Sequence, residues 1–296
     1  MLNLPLPVIL QLKKAKNVLV LGVGGFDIFN CLPVYFSLEK VGVKAHLSSF
    51  PQAHWDNMGN FAELIPMSYG CVGVGGNTLQ VSDNFPEAYL ASWFRETKQL
   101  DIKIWALKKD QSIEECSKSF EVLTKHLGID AIVIVDSGID SMMTGNEDKE
   151  VLTKSFIGSS LVLKSVENLG IDLISVCYNN GDKNYKIINK TLYNLSTQGG
   201  FYGGCFILNY MKSYEEFRLF YDYYISNGFE IPESIKLLKN NVDFNHEEHA
   251  DNKSQTQLLF FNSLALIYNN NAIKNLMGDE SYYDAIQKVA PYVNKY

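Results

Sequence analysis

Residues 17–27, NVLVLGVGGFD, decide the fold class. Four consecutive strand-prone apolar residues, Val18 to Leu21, stop at Gly22, Gly24 and Gly25, and an acid, Asp27, follows. A strand that does not alternate apolar with polar is one buried on both faces, as in a parallel sheet covered by helices. The next stretch, DIFNCLPVYFSLEKVG, reads as a helix, with Pro33 limiting where its hydrogen-bonded body begins. The same unit recurs outward along the chain. VKAHLSSF, DIKIWALK, DAIVIVDSG and IDLISVCYN read as further strands. PEAYLASWFRETKQL, SIEECSKSFEVLTKHLG and KSFIGSSLVLKSVENLG read as helices between them. Pro86 suits a first helical turn and Gly128 a helix stop. Residues 51–83, which include CVGVGGNT, read as loop-rich.

Repeated β-α-β units predict an α/β fold: a Rossmann-like, mostly parallel, doubly wound sheet with a helical C-terminal tail. The tail follows Cys205, where SYEEFRLFYDYYISNG, PESIKLLKNN, SQTQLLFFNSLALIYNNN and SYYDAIQKVAPYV all read as helices. No Pro/Ser linker sets it apart. One α/β domain is therefore expected over 1–296, with a sheet-and-helix core at 1–205 and the tail at 206–296 packed on it. The Tyr and Phe stripe of the tail is assigned to core.

Hydrophobic residues make up 46% and charged residues 20%, enough apolar material for a large core. The net charge of −7 argues against a broad nucleic-acid or anionic-membrane surface, so neither partner is expected. The five cysteines form no Cys-x-x-Cys pair, which fits reduced thiols and a cytoplasmic protein. The opening residues read as a short helix rather than a signal peptide, and no stretch is clean enough to span a membrane. Oligomeric state is open, a homo-oligomer included.

Three loops carry the chemistry. In LGVGGFD, Gly22, Gly24 and Gly25 would let backbone N–H groups approach an anion at a helix N-terminus. The dinucleotide fingerprint G-x-G-x-x-G would need glycine where Asp27 stands, and AHLSSF lacks the terminal acid that holds a ribose, so NAD(P) is not expected. In IVIVDSGIDSMMTGNED, Asp136 closes a buried strand, Gly138 allows a sharp turn, and Asp140, Glu147 and Asp148 follow. A carboxylate there needs N–H donors, a base, a metal or substrate hydroxyls, or else serves as a helix cap. In STQGGFYGGCF, Gly199 and Gly200 precede an apolar, helix-like run and suit either a ligand or close packing. HEEH at 246–249 and the pair His54 and Trp55 read as ordinary loop.

VLVLGVGGFDIF, AIVIVDSGIDSMMTGNED and GGFYGGCFIL together resemble the family called domain of unknown function 1152, over about the first two-thirds of the chain. The resemblance falls on Gly24, Gly25 and Asp27, and on Asp136, Gly138, Asp140, Ser141, Met143, Gly145 and Glu147. The chain departs from the family's pattern at Ser137, where a glycine is usual, at Thr144, where a base is common, and at Asn146, which replaces an acid. The resemblance implies the α/β fold and supplies no activity.

These readings converge on a small-molecule enzyme, a hydrolase, lyase or transferase. Its ligand would be a polar, anionic metabolite such as a nucleotide or sugar phosphate. Asp136 and Asp140 would act as general base or, with Glu147, as ligands of a divalent metal, magnesium or manganese. Gly22, Gly24, Gly25, Asp27, Gly138, Ser141, Gly199 and Gly200 would line the ligand. The alternative is a non-catalytic binding or regulatory protein using the same crevice.

Overall fold

A computed structural model describes residues 12, 14–24, 26–51, 63–65, 70–78, 85–109, 111–138, 142, 154–179, 192–193, 202–207, 213–232, 235–236, 239 and 257–262. Among them, nine strands form one sheet: β1 (Asn17–Gly22), β2 (Lys44–Ser49), β3 (Glu63–Leu64), β4 (Cys71–Val74), β5 (Ile104–Leu107), β6 (Ala131–Asp136), β7 (Asp172–Asn179), β8 (Tyr202–Ile207) and β9 (Gln257–Asn262). The helices are α1 (Asp27–Lys40), α2 (Pro86–Lys98), α3 (Ile113–Leu127), α4 (Lys154–Val166) and α5 (Tyr214–Ser226).

The strand order is β3-β4-β5-β2-β1-β6-β7-β9-β8. Its centre, β5-β2-β1-β6-β7, is parallel throughout. Counted along the chain, those five strands lie in the order 3-2-1-4-5, the Rossmann arrangement, which reverses direction between β1 and β6. The expected α/β, doubly wound sheet is therefore present, with antiparallel strands added at both edges.

Both faces of the central strands are covered, as the unbroken apolar runs require. Val18 and Val20 of β1 join a core with α1, α2 and α5, while Leu19 and Leu21 join a second core with α3 and α4. The tail's aromatic stripe is core: Phe220 and Tyr224 of α5 lie 4.5 and 5.2 Å, ring to ring, from Phe29 of α1. Edge-on and tilted aromatic pairs like these add about 1 kcal/mol each beyond simple burial.

Local signals set the helix ends. Pro86 opens α2. Ser112 and Glu115 form a reciprocal capping box on α3, and Gly128 closes it at φ 64°, where a side chain would be strained. No described helix is long and apolar enough to cross a membrane.

Four readings of the sequence are corrected. Helix α1 starts at Asp27, six residues before Pro33, and runs through it. The lost N–H is tolerated because burial of this helix between sheet and α5 outweighs one missing bond. Cys71–Val74, within the stretch read as loop-rich, is strand β4. Tyr202–Ile207, read as helix-like, is edge strand β8, and Gln257–Asn262, within a stretch read as tail helix, is strand β9 between β7 and β8. Among the described residues, the tail thus supplies helix α5 and strand β9 to the fold. A six-residue apolar run satisfies either period, and here sheet pairing decides.

Candidate functional site

Open α/β sheets bind ligands where the strand order reverses, beyond the carboxyl ends of the strands. Here that point lies between the loops after β1 and β6. Gly22 is in register with Val135 of β6 on one side and Ser49 of β2 on the other, and Val23 N donates to Val135 O at 3.2 Å. The glycine loop and the acidic loop are therefore neighbours, as their chemistry requires.

Asp27 is the first residue of α1 and is buried. Its carboxyl folds back onto its own turn, accepting from Gly24 N at 2.7 Å and from Asn30 Nδ2 at 3.4 Å. Ser137, across on the β6 loop, lies close enough for its backbone and hydroxyl to lower the Asp27 pKa. Asp27 thus sits between the two loops. Burial raises its pKa above the usual carboxylate range, although Ser137, Gly24 and Asn30 pull the other way.

This geometry reassigns the glycine loop. The Gly24 N–H that a pyrophosphate would take in a dinucleotide site is donated to Asp27 instead. A Cβ at Gly24 would stand 3.0 Å from Asp27 Oδ2, and one at Gly22 would stand 2.9 Å from the Asp27 backbone carbon. Both glycines make room for Asp27 and the first turn of α1.

Asp136 ends β6 and is 2% exposed. Its Oδ1 accepts from Gly138 N at 3.1 Å, closing an Asx turn, and its Oδ2 accepts from Ser159 Oγ of α4 at 2.5 Å. Gly138 is held from the far side as well, by the Cys177 thiol, whose sulfur lies 2.7 Å from Gly138 O. Asp136 therefore shapes the loop that delivers Ser137 to Asp27. Asp140, Ser141, Glu147, Gly25, Gly199 and Gly200 lie outside the described residues, as do His54, Trp55 and the HEEH stretch. Strand β8, which follows Gly199 and Gly200, sits three strands from β6, and its first residue Tyr202 is level with Ser175 partway along β7. Among the described residues, no group of three His, Cys, Asp or Glu is arranged to hold a metal ion.

The sequence reading missed a third carboxyl. Glu87, second residue of α2, is fully buried. Its Oε1 accepts from Ser49 Oγ at 2.5 Å, and Ser49 is the residue beside Gly22. Its Oε2 is shut from solvent with no partner. Burial pushes its pKa up to about 7, against the Ser49 bond and its own backbone N–H, which lower it. Asn30 is likewise fully buried, with Oδ1 unpartnered. An acid just inside a helix normally reads as a dipole-favoured surface group, so nothing local in PEAYL announces burial.

Thiol chemistry finds no support at Cys31, Cys71 or Cys116. Burial, then the charges of Asp27 and Glu87, raise Cys31 well above its ordinary value, and burial raises Cys71 to about 12 and Cys116 to about 11.

No protein-family model matches the chain, and no curated protein matches it. The resemblance to domain of unknown function 1152 rests on the quoted motifs alone.

Proposed function

We propose that this chain is a small-molecule enzyme whose site is the crevice between the loops after β1 and β6. The observation that carries this reading is the gathering of three buried carboxyls, Asp27, Glu87 and Asp136, at the carboxyl ends of three neighbouring strands. A fold holding three such groups under one crevice bears a desolvation cost that structure alone does not require. Glu87, with a pKa near neutrality and one oxygen without a partner, is matched to proton transfer at physiological pH. It replaces Asp136 as the preferred acid–base group, because both Asp136 oxygens already serve the loop.

The substrate class remains a polar metabolite of the nucleotide or sugar phosphate type, oriented with its hydroxyls towards the carboxyls. Its phosphate would need donors other than Gly24. Hydrolase, lyase and transferase chemistry all fit such a site, with or without magnesium or manganese. A second reading, a non-catalytic binding protein, draws support from the saturated Asp136 carboxylate.

A thermal-shift screen of nucleotides, sugar phosphates and amino acids, each with and without magnesium or manganese, tests the proposal. A ligand at about a hundred times its dissociation constant adds roughly 2.7 kcal/mol of stability. The expected hit stabilises the parent chain and not Asp27→Asn. Equal stabilisation of both would overturn the assignment. Turnover of the hit by the parent and its loss in Glu87→Gln separate the enzyme from the binding protein.

A further inference from the structure

The opposite end of the sheet carries a second pocket. Strand β2 begins at Lys44, but its neighbour β5 pairs with it only from Ile104, opposite Leu47. Residues 44–46 therefore pair with β1 on one side but have no strand on the β5 side, where a pocket of about 370 Å³ lies. Small-ligand sites start at roughly 300 Å³. The Ala45 N–H that faces the gap is satisfied by Glu39 Oε1 at 2.6 Å.

The lining residues sort by the face of the sheet. Tyr35 and Ala45 belong to the core on the α1 side, while Trp105 and Leu127 pack on the α3 side. Strand alternation puts Lys44 and His46 on the α3 side too. Lys103 joins them, since a Cβ on Gly73 would meet both Lys103 and Trp105. On this side the lining holds two lysines, an imidazole, an indole and a leucine, and Glu39, bonded to the Ala45 N–H, is the acid of the pocket. His46 Nε2 is shut from solvent with no partner. Burial, then Lys44, lower the His46 pKa to about 4, so the ring is neutral and can offer Nε2–H to an acceptor. Leu100 at the pocket is 46% exposed.

We propose that this pocket binds a small carboxylate with an apolar or aromatic body. The carboxylate lies against Lys44, the His46 ring turns to bring its unpartnered Nε2 to it, and the body lies on Trp105, Leu127 and Leu100. The chain is acidic overall, and with the Glu39 carboxylate engaged by the Ala45 N–H, the two lysines leave this lining net positive, which favours a monoanion. The site is separate from the crevice at the other end of the strands and does not depend on what binds there.

Calorimetric titration of phenylacetate into the full chain tests the proposal, with 2-phenylethanol as the uncharged probe. Phenylacetate should bind with a dissociation constant of about 1 mM or tighter, and 2-phenylethanol should bind at least about tenfold more weakly. His46→Phe and Lys44→Met should each weaken phenylacetate by about tenfold, while Asp27→Asn leaves it unchanged. Lys44 is exposed, so its variant tests the site even if His46→Phe fails to fold. Heats indistinguishable from dilution, or equal affinity in the parent and Lys44→Met, would overturn the proposal. Loss of binding in Asp27→Asn would do the same by moving the ligand to the crevice.

Discussion

The tetrapeptide Gly-Val-Gly-Gly occurs twice, at 22–25 and 73–76. Both copies support the same turn: Asp27 N donates to Gly24 O at 3.1 Å, and Thr78 N donates to Gly75 O at 2.9 Å. Their surroundings differ. The first copy ends central strand β1 and is followed by Asp27, whose carboxyl returns to Gly24 N and lies close to Ser137 on the next loop. The second copy ends β4, which lies beside edge strand β3, and is followed by Asn77 and Thr78. There Gly73 packs beneath Trp105, and Gly76 packs on the Ala91 carbonyl, each with 3.0 Å for an added Cβ. A glycine turn is therefore a packing device in both places. Position at the point of strand reversal, and the acid three residues on, distinguish the candidate site.

The largest expected effect concerns the carboxyl beneath the first copy. Glu87 should titrate near 7 when folded and near 4.5 when unfolded. A raised acid pKa means that the folded state keeps its proton longer than the unfolded one. The contribution is full below about pH 4.5 and is lost as pH rises through 7, amounting to about 3 kcal/mol. Urea unfolding at pH 5 and pH 8 should show that decline in the parent, and Glu87→Gln should remove most of it. A parent chain with no such slope would leave Glu87 an ordinary acid.

Next in size is Gly22→Ala, whose Cβ would stand 2.9 Å from the Asp27 backbone. The cost should be about 2–3 kcal/mol, read from the same urea midpoints. Gly75→Ala, with nothing within 4 Å of the added Cβ, should stay within about 0.5 kcal/mol. Equal costs at the two positions would break the contrast between the copies.

Asp136→Asn sharpens the difference between a carboxyl that shapes a loop and one poised for proton transfer. It weakens the bonds to Gly138 N and Ser159 Oγ, and should cost about 1–2 kcal/mol in chemical denaturation. A gain in stability would mean that Asp136 is held under strain for another purpose.

The central sheet was legible because Val18 to Leu21 and Ile132 to Val135 are unbroken apolar runs, and burial on both faces is their only economical placement. The outer strands were not, because Tyr202–Ile207 and Gln257–Asn262 are short apolar runs whose pairing partners lie far away in sequence. Asp27 and Asp136 could be read because each sits where an apolar strand stops. Glu87 could not, since its burial is created by Ser49 and by α2 closing over the end of β2, neither of which its own neighbours encode. His46 was hidden in the same way: its isolation depends on β5 starting three residues late beside β2.

Carboxyl carbon NMR across a pH titration of the selectively labelled chain tests most directly whether the crevice holds acids poised for proton exchange. The account predicts that Glu87 titrates within about one unit of pH 7 and Asp27 above its ordinary value. Ordinary carboxylate titration at both Glu87 and Asp27 would contradict it.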